Sequence, residues 1–177
     1  MRRKKSFLIV GILLLFLAAC SGQSIEEKIH AHLEEAVNLE KEFKEQQSEI
    51  TDLERREQVI YDEIINLGME DFAEIEELSQ EALAIIDERR EKIEIERESI
   101  MNAKEEFQSI ESLLENIKED QVRSIGEEMY QIMMERYDTY DEIYKTYDLS
   151  LDLETELYNL FQDEGIEQEE LNEHIES

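Results

Sequence analysis

Residues 72–117 of the chain read FAEIEELSQEALAIIDERREKIEIERESIMNAKEEFQSIESLLENI. Apolar side chains recur in this stretch at intervals of three, four and seven residues, which is the spacing of a helix that packs along one face. These positions are Phe72, Ile75, Ala82, Ile86, Ile93, Ile100, Ala103, Phe107, Ile110, Leu114 and Ile117. Ser79, Arg89 and Glu96 are the polar residues that interrupt them. The pattern predicts one long helix.

A similar stripe occupies residues 25–67. Its apolar members are Ile25, Ile29, Ala36, Leu39, Phe43, Ile50, Leu53, Ile60, Ile64 and Leu67, and its polar interruptions are His32, Gln46 and Glu57. A single helix over this range would be about 65 Å long at 1.5 Å per residue. We expect Gly68 to end it in the left-handed conformation, with Met69 folding back on Ile64.

These two predicted helices are nearly equal in length and are joined by only a few residues. Such a pair favours an antiparallel hairpin. If Leu67 lies opposite Phe72, then Gln46 lies opposite Ile93, and Phe43 lies opposite Glu96. Polar residues within a helix seam lower stability but specify its register.

A third stripe begins one residue out of phase with the second. Its members are Val122, Ile125, Met129, Ile132, Ile143, Leu153, Leu157 and Leu160. The change of phase predicts a turn at residues 119–121, with Asp120 as the N-cap of the third helix. Gly165 is expected to close that helix, with Ile166 in contact with Phe161.

The composition supports helices throughout. The chain has no proline and only five glycines in 177 residues, whereas folds made of strands and tight turns need many more such residues. We therefore predict an all-α protein: an elongated antiparallel bundle or coiled coil of three long helices, followed by a short amphipathic helix at residues 167–176. Residues 25–177 are predicted to form one helical-bundle domain.

The third helix carries a second stripe beside the first. Its members are Tyr130, Met133, Tyr137, Tyr140, Tyr144, Tyr147, Leu151, Tyr158 and Phe161, which include six of the seven tyrosines of the chain. A helix that is apolar over so much of its circumference needs two partners, or one partner and a ligand.

The tyrosine stripe has two interpretations. The rings could pack against another helix, as aromatic residues with helical spacing usually do. Alternatively, the rings could stack on sugars while their hydroxyls form hydrogen bonds, because tyrosine combines an apolar face with a polar tip. We expect Tyr140 and Tyr147 to belong to the core, and Tyr137 and Tyr144 to face a ligand or a further helix.

The first nineteen residues have the pattern of a secretory signal peptide. Arg2, Arg3, Lys4 and Lys5 precede an apolar run that is too short to span a bilayer. The run ends in Leu17-Ala18-Ala19-Cys20, which resembles the bacterial lipobox, and Cys20 is the only cysteine. Lipidation at Cys20 would attach membrane lipid to the mature N-terminus, and two acyl chains are enough for stable anchoring. Residues 20–24 would then be the lipidated cysteine and a short linker.

The charge excludes several classes of partner. The chain has 18 Lys and Arg against 48 Asp and Glu, and the predicted leader contains four of the basic residues. Nucleic acid is excluded because proteins bind it by neutralising phosphates with basic residues. Docking on anionic lipid headgroups is disfavoured for the same reason. Cationic partners remain compatible.

No catalytic constellation is present. The chain lacks a glycine-rich phosphate loop, a cysteine cluster and a Gly-x-Ser-x-Gly elbow. His30 and His32 would point to different faces of a helix and make a poor metal pair. We therefore predict no enzymatic activity, no metal site and no cofactor.

Five segments together resemble the YkyA-type cell-wall-binding lipoproteins of Firmicutes. They are NLEKEF at 38–43, INLGMEDF at 65–72, EMYQIMMERY at 128–137, YDEIY at 140–144 and ELYNLF at 156–161. The resemblance covers essentially the whole chain and implies an anchored, helical, wall-associated protein without assigned catalytic residues. Family members continue with a further long helix, so the resemblance leaves two alternatives open: a complete bundle, or one that lacks a C-terminal helix beside the third helix.

These observations predict a lipid-anchored, extracytoplasmic, non-enzymatic protein on the outer face of the cell membrane, facing the cell wall. It would bind peptidoglycan or a wall-associated protein. The alternative is a coiled-coil scaffold for other proteins, or for a second copy of the chain, at the cell surface.

Overall fold

The computed structural model describes residues 23–165, apart from the side chain of Met69. Helix α1 spans Ile25–Leu39 and α2 spans Lys41–Ile64. A 3-10 turn at Met69–Asp71 leads into α3 at Phe72–Gln108. The short helix α4 at Glu111–Leu114 is followed by α5 at Asp120–Phe161. The described residues contain no strand, so the predicted all-α class is confirmed. The predicted helix at 167–176 lies outside the described residues.

Helix α3 is the centre of the bundle. The α1–α2 arm packs antiparallel along one side of α3, and α5 packs antiparallel along another. The first two predicted stripes form the core, with Ala82, Ala103 and Ile110 fully buried. Five of their six polar interruptions are buried as well, namely Gln46, Glu57, Ser79, Arg89 and Glu96, while His32 is partly exposed. Heptad spacing therefore identified the inward faces of these helices correctly.

The first arm is two helices and not the single helix that the stripe predicts. Its break lies at Glu40, and its cause lies on α3. The Ser99 hydroxyl accepts a hydrogen bond from the Phe43 N–H (3.1 Å) and donates one to the Leu39 carbonyl (2.5 Å). Those two backbone groups would pair with each other in a continuous helix. A side chain inserted into the backbone ladder is a recognised cause of a kink. Phe43 thus meets Ser99, one turn from the predicted Glu96.

The helix ends also differ from the predictions. Helix α2 stops at Ile64, and Gly68 is extended (φ −102°, ψ 167°) and not left-handed. Helix α5 ends at Phe161, four residues before Gly165, and no described glycine has a positive φ. In both places the chain leaves the helix with ordinary backbone angles, so a left-handed glycine is not needed. The predicted contact of Ile166 lies outside the described residues.

The second turn comes close to its predicted place. Helix α3 stops at Gln108, and the chain reverses between the end of α4 and the start of α5 at Asp120. Asp120 is the first residue of α5 and not its N-cap, which is Glu119. The Asp120 carboxylate instead binds Arg123 one turn later, at 2.5 Å.

Candidate functional site

The tyrosine stripe of α5 faces the interior of the bundle. Tyr137 and Tyr158 are only 1% and 2% exposed, and Tyr130 is also buried. Tyr140, Tyr144 and Tyr147 are partly buried. The expectation that Tyr137 is one of the two open tyrosines is therefore wrong, because it is the most deeply buried of the set.

Most of the aliphatic stripe of α5 is exposed, while Met129, Leu157 and Leu160 are partly buried. Ile125 is 60% exposed, Ile132 and Ile143 are each 58% exposed, and Val122 is also exposed. The tyrosine stripe therefore lies on the packed side of α5, as in the first of its two interpretations. The two stripes have the same helical spacing, so the spacing alone did not distinguish them.

The tyrosine hydroxyls explain the choice. Tyr140 donates to Glu96 on α3 (3.0 Å), and Tyr137 donates to Glu40 at the kink (3.1 Å). Tyr147 donates to Glu54 on α2 at 3.0 Å. A buried or half-buried carboxylate without a donor is costly. An aliphatic stripe could not supply these donors, whereas the tyrosine stripe places one at each of these points.

The electrostatics of these contacts keep the tyrosines protonated. Burial, and then the adjacent Glu96 carboxylate, raise the pKa of Tyr140. The hydrogen bond to Glu94, with burial, raises the pKa of Tyr144 to about 12. Burial also raises the pKa of Glu96, although the bond from Tyr140 works in the opposite direction. At neutral pH the phenols are therefore donors.

A charged cluster joins α2, α3 and α5 near Tyr147. Arg89 of α3 binds Glu57 of α2 and Glu154 of α5, the latter at 2.6 Å. Its Nε atom also donates to the Tyr147 hydroxyl at 2.9 Å. Burial, and then repulsion by Glu154, raise the pKa of Glu57, while Arg89 lowers it. We call Arg89, Glu54, Glu57 and Glu154 the Arg89 cluster.

The Arg89 cluster forms the base of an open groove between α2 and α5. The groove has a volume of about 500 Å³. Its other lining residues are Gln58, Tyr61, Tyr147, Ser150, Leu157 and Tyr158. Aromatic rings and charged groups of both signs thus line one solvent-open groove. We call it the α2–α5 groove.

Two further hollows adjoin α5. One of about 440 Å³ has the side chains of Phe43, Ile100, Ile132 and Tyr140 among its walls. The other, of about 410 Å³, is lined by residues of α5 alone, from Thr139 to Ser150. We call these the upper and the lower hollow.

The remaining sequence candidates are placed as follows. His30 approaches Glu34 at 3.3 Å on the surface of α1, and His32 bonds Glu106 of α3 at 2.6 Å. Within residues 23–165, no set of three or more potential ligand residues is arranged to hold a metal ion. Cys20 lies outside the described residues. No helix in the described part of the chain has the length and apolar content needed to cross a bilayer.

Sequence reasoning missed the carboxylate partners of the tyrosines, namely Glu40, Glu54 and Glu94. Acidic residues three or four positions apart occur throughout this chain, so no local signal marked these three. These glutamates could have been paired with the tyrosines only if the register of α5 against the other helices had been known.

Comparison with known proteins places the chain in a lipoprotein family. Residues 24–177 match the family model YkyA, described as "Putative cell-wall binding lipoprotein". The chain is also 32% identical over 161 residues to the uncharacterized lipoprotein YkyA of Bacillus subtilis (strain 168), covering 91% of this chain and 72% of that protein. The chain therefore belongs to the YkyA family, as the sequence segments indicated. No solved structure matches it.

Proposed function

We propose that this protein is a lipid-tethered, non-enzymatic rod that binds the cell wall from the outer face of the membrane. In this proposal residues 1–19 are the signal peptide, Cys20 carries the lipid, and residues 25–177 form the binding domain. Family membership supports an anchored, wall-associated lipoprotein. Helix α5, with 42 residues, provides a rod of about 63 Å at 1.5 Å per residue.

The observation that carries the wall-binding proposal is the α2–α5 groove. Its Tyr61 and Tyr147 rings offer apolar surfaces for the C–H faces of sugars. The Arg89 cluster offers donors and acceptors for sugar hydroxyls beside those rings. A concave site with aromatic walls and a few polar groups is the usual form of a small-ligand site.

The four tyrosines take different parts in this proposal. Tyr147 contacts the ligand, because it lines the open groove. Tyr137 and Tyr140 hold α5 against the other helices through Glu40 and Glu96. Tyr144 stays under the Arg97 guanidinium, whose carbon is 4.5 Å from its ring centre. The membrane anchor raises the local concentration of the rod at the wall, so a site of modest affinity is sufficient.

The test is retention of the full-length protein by purified sacculi, with and without teichoic acid. Gln58→Trp places a large side chain at the groove wall, where Gln58 is exposed, and should abolish retention without lowering the melting temperature. Gln80→Trp is the matched control, because Gln80 is exposed on α3 and lines none of the three hollows described above. Equal retention of both variants would show that the groove is not the site. Failure of the wild-type protein to bind would reject wall binding itself.

A second candidate function is a scaffold for other proteins. The exposed aliphatic stripe of α5 supports it, since three isoleucines are more than half exposed along one helix. Contiguous exposed apolar surface marks protein interaction sites more often than chance would give.

A further inference from the structure

The outer side of α5 has the pattern of a coiled-coil seam. We define the outer stripe as Val122, Ile125, Met129, Ile132 and Ile143. The first four positions are spaced 3, 4 and 3 residues apart, and Ile143 is in heptad phase with them. The intervening seam positions are occupied by Arg136, Thr139 and Thr146, and the Arg136 guanidinium pairs with Glu40 at 2.7 Å. Nothing in residues 23–165 covers Ile125, Ile132 or Ile143, each of which is more than half exposed.

The surface beside the outer stripe has places for the side chains of a second helix. Ile132 and Ile143 form the rim of the upper hollow, and the buried residue Ile100 lies at its base. Ile143 continues into the lower hollow. In helix–helix seams, side chains of one helix insert into holes between residues of the other. A regular set of apolar residues with adjoining hollows is therefore suited to an incoming helix.

The charge around the outer stripe specifies what kind of helix fits. Glu128, Glu135 and Glu142 each directly precede a seam position, and all three are exposed. Glu135 lines the upper hollow and Glu142 the lower one. Within the part of the chain that the structure describes, their carboxylates form no ion pair. Residues at such flanking positions set the choice of partner through interhelical ion pairs.

A second copy of the chain does not satisfy this row. In an antiparallel pair, the glutamates of one copy would face those of the other. In a parallel pair they would face the positions of Gly126, Met133 and Tyr140, none of which is basic. The net charge of −30 per chain adds repulsion between copies.

We propose that the outer stripe binds an amphipathic helix of a partner protein, with apolar seam residues flanked by lysine or arginine. This inference rests on the scaffold function given above as the second candidate. The partner lays its apolar face along Ile125, Ile132 and Ile143 and pairs its cations with the row of glutamates. A helix that binds in this way contacts its partner through residues spaced three, four and seven positions apart.

The experiment uses the full-length protein in phosphatidylcholine nanodiscs and two designed helical peptides. Both peptides have the same leucine and isoleucine seam; one has lysine at the flanking positions and the other has glutamate. Empty nanodiscs report binding to lipid. We expect the lysine peptide to bind and the glutamate peptide to bind at least about tenfold more weakly, with the difference decreasing as salt screens the charges.

Two variants locate the binding. The stripe variant (Ile125→Ser, Ile132→Ser and Ile143→Ser) should lose binding of the lysine peptide by more than about tenfold, because apolar burial is lost. The row variant (Glu128→Gln, Glu135→Gln and Glu142→Gln) should lose most of the preference for the lysine peptide, measured at a salt concentration that screens the remaining net charge. Both variants change exposed residues, and their unchanged melting temperatures would show that the fold is intact.

Three outcomes would overturn the inference: equal binding of both peptides to the wild-type protein, full binding by the stripe variant, or dimers that the stripe variant abolishes. The last outcome would make the outer stripe an interface between copies. Sacculus retention of the stripe variant separates this inference from wall binding. Loss of peptide binding with intact retention would show that the two functions are separate, because none of the three substituted isoleucines lines the α2–α5 groove.

Discussion

Replacing Tyr137 with alanine should strongly destabilise the protein, whereas replacing Ile132 with alanine should not. The Tyr137 ring is 1% exposed and lies edge-on to Phe107, with ring centres 5.9 Å apart. Truncating a fully buried large aromatic costs roughly 3–5 kcal/mol. Ile132 is 58% exposed, and a substitution at an exposed position usually changes stability by no more than about 0.5 kcal/mol.

Tyr137→Phe separates the ring from its hydroxyl. It keeps the contact with Phe107 and removes only the hydrogen bond to Glu40, so it should cost about 1.5–3 kcal/mol, the range for hydrogen bonds to charged groups. The expected order of stability is therefore wild type and Ile132→Ala, then Tyr137→Phe, then Tyr137→Ala.

Thermal unfolding of the purified full-length protein, followed by circular dichroism, measures this order. In a chain of this size 1 kcal/mol shifts the melting temperature by roughly 2–4 °C, so Tyr137→Ala should melt about 6–20 °C early. If Ile132→Ala melted as early as Tyr137→Ala, the aliphatic stripe would be the packed face, and the account of the tyrosine face given above would be wrong.

Three other predictions concern the Arg89 cluster, Glu96 and the proposed lipidation site. Arg89→Met should lower the free energy of unfolding by about 3–5 kcal/mol, because it leaves the buried Glu57 without its counter-charge. As a control, Arg55→Met breaks an exposed pair with Asp52 and should change that free energy by less than about 1 kcal/mol. Equal losses in the two variants would contradict a stabilising role for the Arg89 cluster. Glu96→Gln should stabilise the protein at neutral pH, because burial raises the pKa of Glu96 above 4.5. The contribution of the wild-type carboxyl is fully present below pH 4.5 and is lost as the pH rises through its raised pKa, so the advantage of the variant should disappear on acidification, and a constant advantage at all pH values would refute this origin. Cys20→Ala should release the protein from the membrane fraction and prevent lipid labelling; a variant that stays in membranes and is still labelled would disprove the lipobox assignment.

The positions of the helices could be predicted closely from the sequence, but some of their ends could not. Periodicity located the stripes of the first two predicted helices because it depends only on neighbouring residues of one chain segment. The break at Glu40 could not be seen this way. It depends on the Ser99 hydroxyl of α3, which bonds Leu39 and Phe43 from 56 to 60 residues away.

The candidate site shows the same division. The sequence drew attention to the tyrosine stripe of α5 and to the polar interruptions Glu57, Arg89 and Glu96, and the structure places Tyr140 against Glu96 and Tyr147 against Arg89. It did not show that the tyrosines and the interruptions are partners. That pairing needs the register of α5 on α3, which is a property of the assembled bundle.

By itself the sequence determined that the chain is helical, that its first two stripes pack as an antiparallel hairpin, and that it belongs to the YkyA lipoproteins. Only the tertiary structure decided which of the two stripes of α5 faces inward. Both stripes have the same helical spacing, so hydrophobic periodicity alone does not choose between them. The tyrosine stripe is favoured because Tyr140 donates to the buried Glu96 and Tyr137 donates to the half-buried Glu40, which Arg136 also binds, whereas aliphatic side chains cannot donate.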